Sequence, residues 1–103
     1  VYQDERNMRA HTILGGVAIV LGLLFQLNRW EWLWLLLSIF LVIVMEIINT
    51  AFENVVDMIT DFHFHSIGKK IKDMAAGAVL ITALFALIVA CFIFLPKIYQ
   101  LFF

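Results

Sequence analysis

Polar and apolar residues along the 103-residue chain fall into long blocks, and the blocks predict three hydrophobic helices. Residues 1–11 are polar, with Asp4, Glu5, Arg6, Arg9 and His11 interrupted by Met8. From Ile13 to Leu27 the chain is apolar apart from Gly15, Gly16, Gly22 and Gln26. Extended to Thr12 and Asn28, that run reaches the lower limit of the roughly 17 to 25 residues a membrane span needs. A compact turn, Asn28-Arg29-Trp30-Glu31-Trp32, separates it from a second run that ends near Asp57. The polar connection 58–72 follows, carrying Asp61, His63, His65, Gly68, Lys69, Lys70 and Lys72. Asp73 then reads as an N-cap or first-turn acid of a third run. That run is free of charge from Met74 to Leu95, and Pro96 and Lys97 close it before an aromatic tail, Tyr99 to Phe103. The expectation is an all-α integral membrane protein of three transmembrane helices, at about 12–28, 32–57 and 74–95, with one cytoplasmic loop at about 58–72.

Composition supports the lipid environment. With 64% of residues hydrophobic and 15% charged, a soluble domain of this size could not hide its apolar surface. All three tryptophans, Trp30, Trp32 and Trp34, cluster where two apolar runs meet, as in the aromatic belt of a membrane interface. Net charge is -1, which gives no attraction to nucleic acid. The single cysteine, Cys91, rules out an internal disulfide and reads as a small hydrophobe. Arg6, Arg9, Lys69, Lys70 and Lys72 lie on one side of the predicted spans, and Arg29 and Lys97 on the other. By the positive-inside rule, the N-terminus and the long loop face the cytoplasm. The first residues do not read as a signal peptide, and an opening on Val1 rather than Met is expected of a fragment of a longer product.

The second run carries the chemistry. Glu46, Asn49, Glu53 and Asp57 are spaced so that a helix projects all four from one face over about three turns. Carboxylates in such an apolar segment are costly to bury unless they pair or bind a cation, and intramembrane acids are functional by default. Glu5, Glu53, Asp57, Lys72 and Asp73 converge on the cytoplasmic interface, while Glu46 lies about 10 Å deeper than Glu53 by helical rise. Acids beside lysines at a membrane surface fit magnesium–nucleotide binding, since Mg²⁺ takes one or two carboxylates with substrate phosphates and water. A deeper carboxylate could accept a proton from a lipid hydroxyl, and phosphoryl transfer needs little beyond positioning, metal and base. No GxxxxGK[ST] loop is present, so the nucleotide site is of another kind. Blander readings stand beside these. Glu46 could be a helix–helix hydrogen-bonding group, Glu53 and Asp57 could face interfacial water, and Glu5 could be solvated charge. Lys69 and Lys70 read best as topology determinants or contacts to anionic lipid. His63 and His65, two apart in a loop, are a weak metal pair, and the glycines of the first helix read as packing residues.

Glu46-Ile47-Ile48-Asn49-Thr50-Ala51-Phe52-Glu53-Asn54-Val55-Val56-Asp57, with Lys72-Asp73 shortly after, resembles the prokaryotic diacylglycerol kinase family of small integral-membrane lipid kinases. The opening Glu5-Arg6-Asn7-Met8-Arg9-Ala10-His11 is similar to the Gram-positive branch, whose members are mainly undecaprenol kinases. The resemblance covers nearly the whole chain. It implies that Glu46 is the catalytic base and that Asn49 orients its carboxylate. Glu5 and Glu53 match the pair that holds the divalent metal on ATP. Asp57, Lys72, Asp73 and His65 match nucleotide-contacting positions, and Arg9 a residue near the lipid substrate. It further implies a homotrimeric helical bundle in the bacterial plasma membrane, with ATP as co-substrate and Mg²⁺ as cofactor.

Family members usually carry an amphipathic surface helix ahead of the ERN segment, which is missing here, and the loop between Asp57 and Lys72 reads about one residue long. The expected function is ATP-dependent phosphorylation of a membrane lipid alcohol, undecaprenol on the branch resemblance, with diacylglycerol as the alternative acceptor. Two other classes remain open on residues alone. A small ion or proton transporter would distribute its acids across the bilayer. A non-catalytic assembly subunit would lack a phosphate-binding set.

Overall fold

The computed structural model describes residues 2–103, with side chains described from Arg9 onward. Three helices follow one another: α1 (Tyr2–Phe25), α2 (Arg29–Thr60) and α3 (Ser66–Phe102). Their long axes dominate the shape, which measures 56 × 22 × 19 Å. α2 and α3 are long and apolar enough to cross a membrane, while the apolar part of α1, Arg9–Phe25, is shorter. At 1.5 Å per residue α3 runs about 55 Å, well beyond a hydrocarbon core of about 30 Å. A belt of exposed large apolar side chains, Leu24, Phe40, Leu80, Ile81 and Phe92 among them, covers the outside. In water such a surface would drive association, and in lipid it is solvated.

Each connection has a local cause. The backbone of Gln26 turns left-handed at φ 55°, and the Leu27 N–H bonds back to the Gly22 carbonyl at 3.3 Å, ending α1 in a Schellman motif. Asn28 then caps α2: its Oδ1 accepts from the Glu31 N–H at 2.9 Å while Glu31 Oε1 accepts from the Asn28 N–H at 3.0 Å. This reciprocal box satisfies two otherwise orphaned donors. Glu31 also meets Lys97 of α3 at 3.1 Å, tying the tip of the α1–α2 hairpin to the far end of the third helix. Partial burial alone would raise the Glu31 carboxyl. The Asn28 N–H and the Lys97 ammonium outweigh it and hold the group below its ordinary value of 4.5.

The core sits at that same end. Leu27, Leu35, Val89 and Ile93 form the buried cluster, flanked by Ala18, Trp32, Ile39 and Phe85, and Phe25 meets Phe94 edge-to-face at 5.8 Å. Gly22 allows the close approach: a Cβ there would lie 2.8 Å from the Trp32 ring. At the opposite end Gly68 of α3 plays the same part, where a Cβ would come within 2.9 Å of Val56.

Several expectations from the chain pattern change. The polar connection expected over 58–72 is helical at both ends, because α2 continues to Thr60 and α3 starts at Ser66. Only residues 61–65 link them, through left-handed Asp61 and Phe62 at φ 54° and 61°. The cap of α3 is His65, whose Nδ1 accepts from the N–H groups of Ile67 and Gly68. Asp73 therefore lies inside the helix rather than at its start. Pro96 does not close α3 either. The helix runs through it to Phe102, since a proline removes only its own N–H and membrane helices tolerate that loss. Of the first-helix glycines, Gly15 and Gly22 pack against α2, whereas a Cβ on Gly16 would meet nothing within 4 Å.

Candidate active site

The inward face of α2 is apolar in its first half and polar in its second. Leu35 and Ser38 are buried, and further along the same face come Glu46, Asn49, Glu53 and Asp57. Glu46 is 5% exposed, the one fully charged type among the buried described residues. Its Oε1 lies 2.6 Å from His11 Nδ1 of α1. The imidazole is turned so that an Nδ1–H would point off the line between the two atoms, which makes this a close polar contact without hydrogen-bond alignment. His11 is about a quarter exposed, so the pair leads from a buried carboxylate toward the rim.

One turn on, Asn49 donates from Nδ2 to Glu53 Oε1 at 3.2 Å. The expected partner of Asn49 was Glu46; the bond goes the other way along the helix, and Asn49 Oδ1 stays buried without a hydrogen-bond partner. Asn49 thereby fixes Glu53, whose carboxylate is a hard oxygen donor of the kind a small divalent cation takes. Among the described residues no group of three or more His, Cys, Asp or Glu side chains gathers to hold a metal ion. Glu5, the other expected metal carboxylate, lies outside the residues whose side chains are described.

Beyond Glu53 the face meets α3. Lys72 Nζ reaches Asp57 Oδ1 at 2.5 Å, a half-buried bridge between helices fifteen residues apart in sequence. A cleft of about 280 Å³ opens next to it, lined by Val56, Thr60, His63, His65, Gly68 and Lys72 together with Lys69 and Asp73. Asp73 is exposed and pairs with Lys69 at 2.7 Å across one helical turn. The structure thus brings Lys72, Asp73 and His65 around one cleft, with Asp57 bridged to Lys72 beside it; these are the four residues that the family resemblance groups as nucleotide contacts. His65 borders it through its ring while its Nδ1 serves the α3 cap. Lys69, read from sequence as a topology residue, joins this group. Arg9 is exposed on α1, two residues ahead of His11.

A second cleft, of about 320 Å³, starts at His11 and runs along the helices between Gly15, Ala18, Ser38, Ile39, Ala83 and Ala86. Apart from His11 and Ser38, whose hydroxyl donates to the Leu35 carbonyl, its lining is apolar, so it suits a stretch of hydrocarbon and discriminates little between one chain and another. His11 was the residue that chain reasoning left without a role. Its signal was present, as the only titratable group between Arg9 and the apolar run, yet its partner is thirty-five residues away and only packing reveals it.

The family model for prokaryotic diacylglycerol kinase matches residues 1–94. The chain is 40% identical over 96 residues to an undecaprenol kinase of Bacillus subtilis, covering 93% of this chain and 77% of that protein. It is 38% identical over 100 residues to a diacylglycerol kinase of Synechocystis sp., covering 97% of this chain and 57% of that protein. To a diacylglycerol kinase of Escherichia coli it is 34% identical over 88 residues, covering 85% of this chain and 71% of that protein. No solved structure matches the chain.

Proposed function

The chain belongs to the prokaryotic diacylglycerol kinase family, and from that premise we propose that it transfers the γ-phosphoryl group of ATP to undecaprenol. The observation that carries the reading is the column Glu46, Asn49, Glu53 and Asp57, buried at one end and joined to a lysine-bearing cleft at the other. Membership in a kinase family sets aside the transporter and assembly-subunit readings. Undecaprenol is favoured over diacylglycerol by the similarity to the Bacillus subtilis undecaprenol kinase.

In this reading Glu46 is the general base. Its burial keeps water away from the lipid hydroxyl, and its carboxylate takes the proton as that oxygen attacks phosphorus. The hydroxyl enters along the cleft below His11, with its isoprenoid tail in the apolar walls and Arg9 near the lipid. Lys72, Asp57, Asp73 and His65 surround the nucleotide, with the Lys72 ammonium offsetting phosphate charge. Glu53, set by Asn49 and joined by Glu5, would hold Mg²⁺ on the phosphates, and the ion supplies neutralisation of their charge. We read all three helices as membrane spans, with the N-terminus, the 61–65 connection and the site on the cytoplasmic side of the bacterial plasma membrane. Three protomers complete the walls.

The test is phosphate transfer from labelled ATP to undecaprenol and to diacylglycerol, side by side in mixed micelles. Undecaprenyl phosphate is expected as the faster product. Faster phosphatidic acid would select the second acceptor, and labelling of neither would overturn the assignment.

A further inference from the structure

A base with only 5% of its surface exposed must be emptied of its proton after each turnover. The group nearest its carboxylate is an imidazole, His11 Nδ1 at 2.6 Å from Oε1, and that side chain is 27% exposed where Glu46 is 6%. Among the described residues no other titratable group is recorded against the pair. On α1 the neighbouring charge is Arg9, exposed and always protonated. On α2 the next polar side chain is Asn49, turned to Glu53. On α3 the residues that line the cleft with His11 are Ala83, Ala86, Leu87 and Ala90, none of them titratable. Histidine is the side chain whose charge changes near neutral pH, so it can take a proton and return it to water within one cycle.

We propose that His11 is the proton outlet of the site: a positioning and relay residue that receives the proton Glu46 removes from the lipid hydroxyl. The inference rests on the reading of Glu46 as the base. In the transfer step the alcohol O–H breaks, its oxygen bonds to the γ-phosphorus, and the bond from phosphorus to the ADP oxygen breaks. The proton passes to a Glu46 carboxyl oxygen. The Glu46 O–H then breaks as an N–H forms on His11 Nδ1, giving imidazolium. Because Nδ1 is buried, the Nε2–H bond breaks and that proton passes to water, and the neutral ring moves its remaining proton from Nδ1 to Nε2 by solvent exchange before the next cycle. The off-line orientation of the ring requires a small rotation to align Nδ1 with the carboxyl oxygen before that second transfer.

The experiment compares the parent, His11→Ala, His11→Gln and Glu46→Gln in detergent–lipid micelles, between about pH 5.5 and 8.5, with and without dissolved imidazole. With His11→Ala, kcat is expected to fall roughly tenfold or more while the KM for ATP holds, and imidazole should restore much of the loss. His11→Gln, which keeps a polar side chain but exchanges no proton, should lose activity to a similar extent. It should also lose whatever pH dependence the parent shows across the range where imidazoles titrate. Parental kcat and pH profile in His11→Gln would overturn the proposal, and that variant alone suffices where His11→Ala does not fold. Loss in His11→Ala that imidazole fails to restore would overturn it too, since a merely structural ring would behave so. The two readings separate cleanly. Activity surviving in Glu46→Gln removes the base itself, whereas an inactive Glu46→Gln beside a parental His11→Gln removes only the relay.

Discussion

Two glutamates of one helix, two turns apart, live in different surroundings. Glu46 lies 5% exposed among apolar neighbours with an imidazole against it. Glu53 is half-buried and held by an amide donor from Asn49. A carboxylate in the first setting is suited to moving protons, one in the second to holding a cation. Glu53→Ala is therefore expected to weaken Mg–ATP affinity as well as slow transfer. Calorimetric binding of Mg–ATP by that variant at parental affinity would remove Glu53 from the metal site. The column itself was legible in sequence, because acids at helical spacing in an apolar run stand out against their background. What Asn49 does was not: a side chain at i can turn to i−3 or i+4, and only the packed rotamer decides that it serves Glu53. His11 and Lys69 were hidden for a related reason, since both draw their meaning from partners that the chain pattern does not point to.

At the level of helices, the run boundaries in the sequence marked hydrophobicity, while the helices follow hydrogen-bonding caps. The lysine-rich stretch before Asp73 has the polarity of a loop, yet His65 caps it and Gly68 lets it pack on Val56, so it is the first two turns of α3. Tight approach at Gly22 should show directly in stability. Gly22→Ala forces a methyl to within 2.8 Å of the Trp32 ring, and overpacking of that kind typically costs about 1–3 kcal/mol. Gly16→Ala meets open space within the protomer. Thermal unfolding in one detergent should place Gly22→Ala well below both Gly16→Ala and the parent; equal midpoints would deny the close contact. The Glu31 clamp makes a prediction in pH. Its folded carboxyl is depressed, so its stabilising contribution is full above about pH 4.5 and is lost as pH falls through the lower folded value. The acid limb of the unfolding curve should flatten in Glu31→Gln, and an unchanged limb would show the clamp to be inert.

For the molecule as a whole, three helices with a single polar face leave the site open on one side. Exposed Gly16 and half-buried Gly77, where an added Cβ meets nothing within 4 Å, offer flat ground for neighbouring helices. Cross-linking in a mild detergent is expected to stop at trimers; a ladder ending at dimers would reject that assembly. Mixing protomers carrying Glu46→Gln with protomers carrying Glu5→Gln asks which chain supplies each acid. His11, on the same helix as Glu5, packs on Glu46 of its own chain, so no mixing ratio should restore activity. Restoration would mean that the two acids of one site come from different chains. Assembly was the level least legible in the sequence, because apolar surface for lipid and apolar surface for a neighbouring protomer are written in the same residues. The placement of the core has a mechanical side. The tightly packed cluster around Leu35 and Val89 sits at the tryptophan end, and Glu46 lies eleven residues up the same helix, about 16 Å away by helical rise. In the proposed orientation that end lies toward the outer leaflet, and its packed cluster would be the fulcrum of any rocking between the helices. A rocking of about ten degrees between helices at that fulcrum would part them by about 3 Å beside Glu46 over that arm. A bulky polyprenyl chain could then slip in and out sideways while the pivot never loosens.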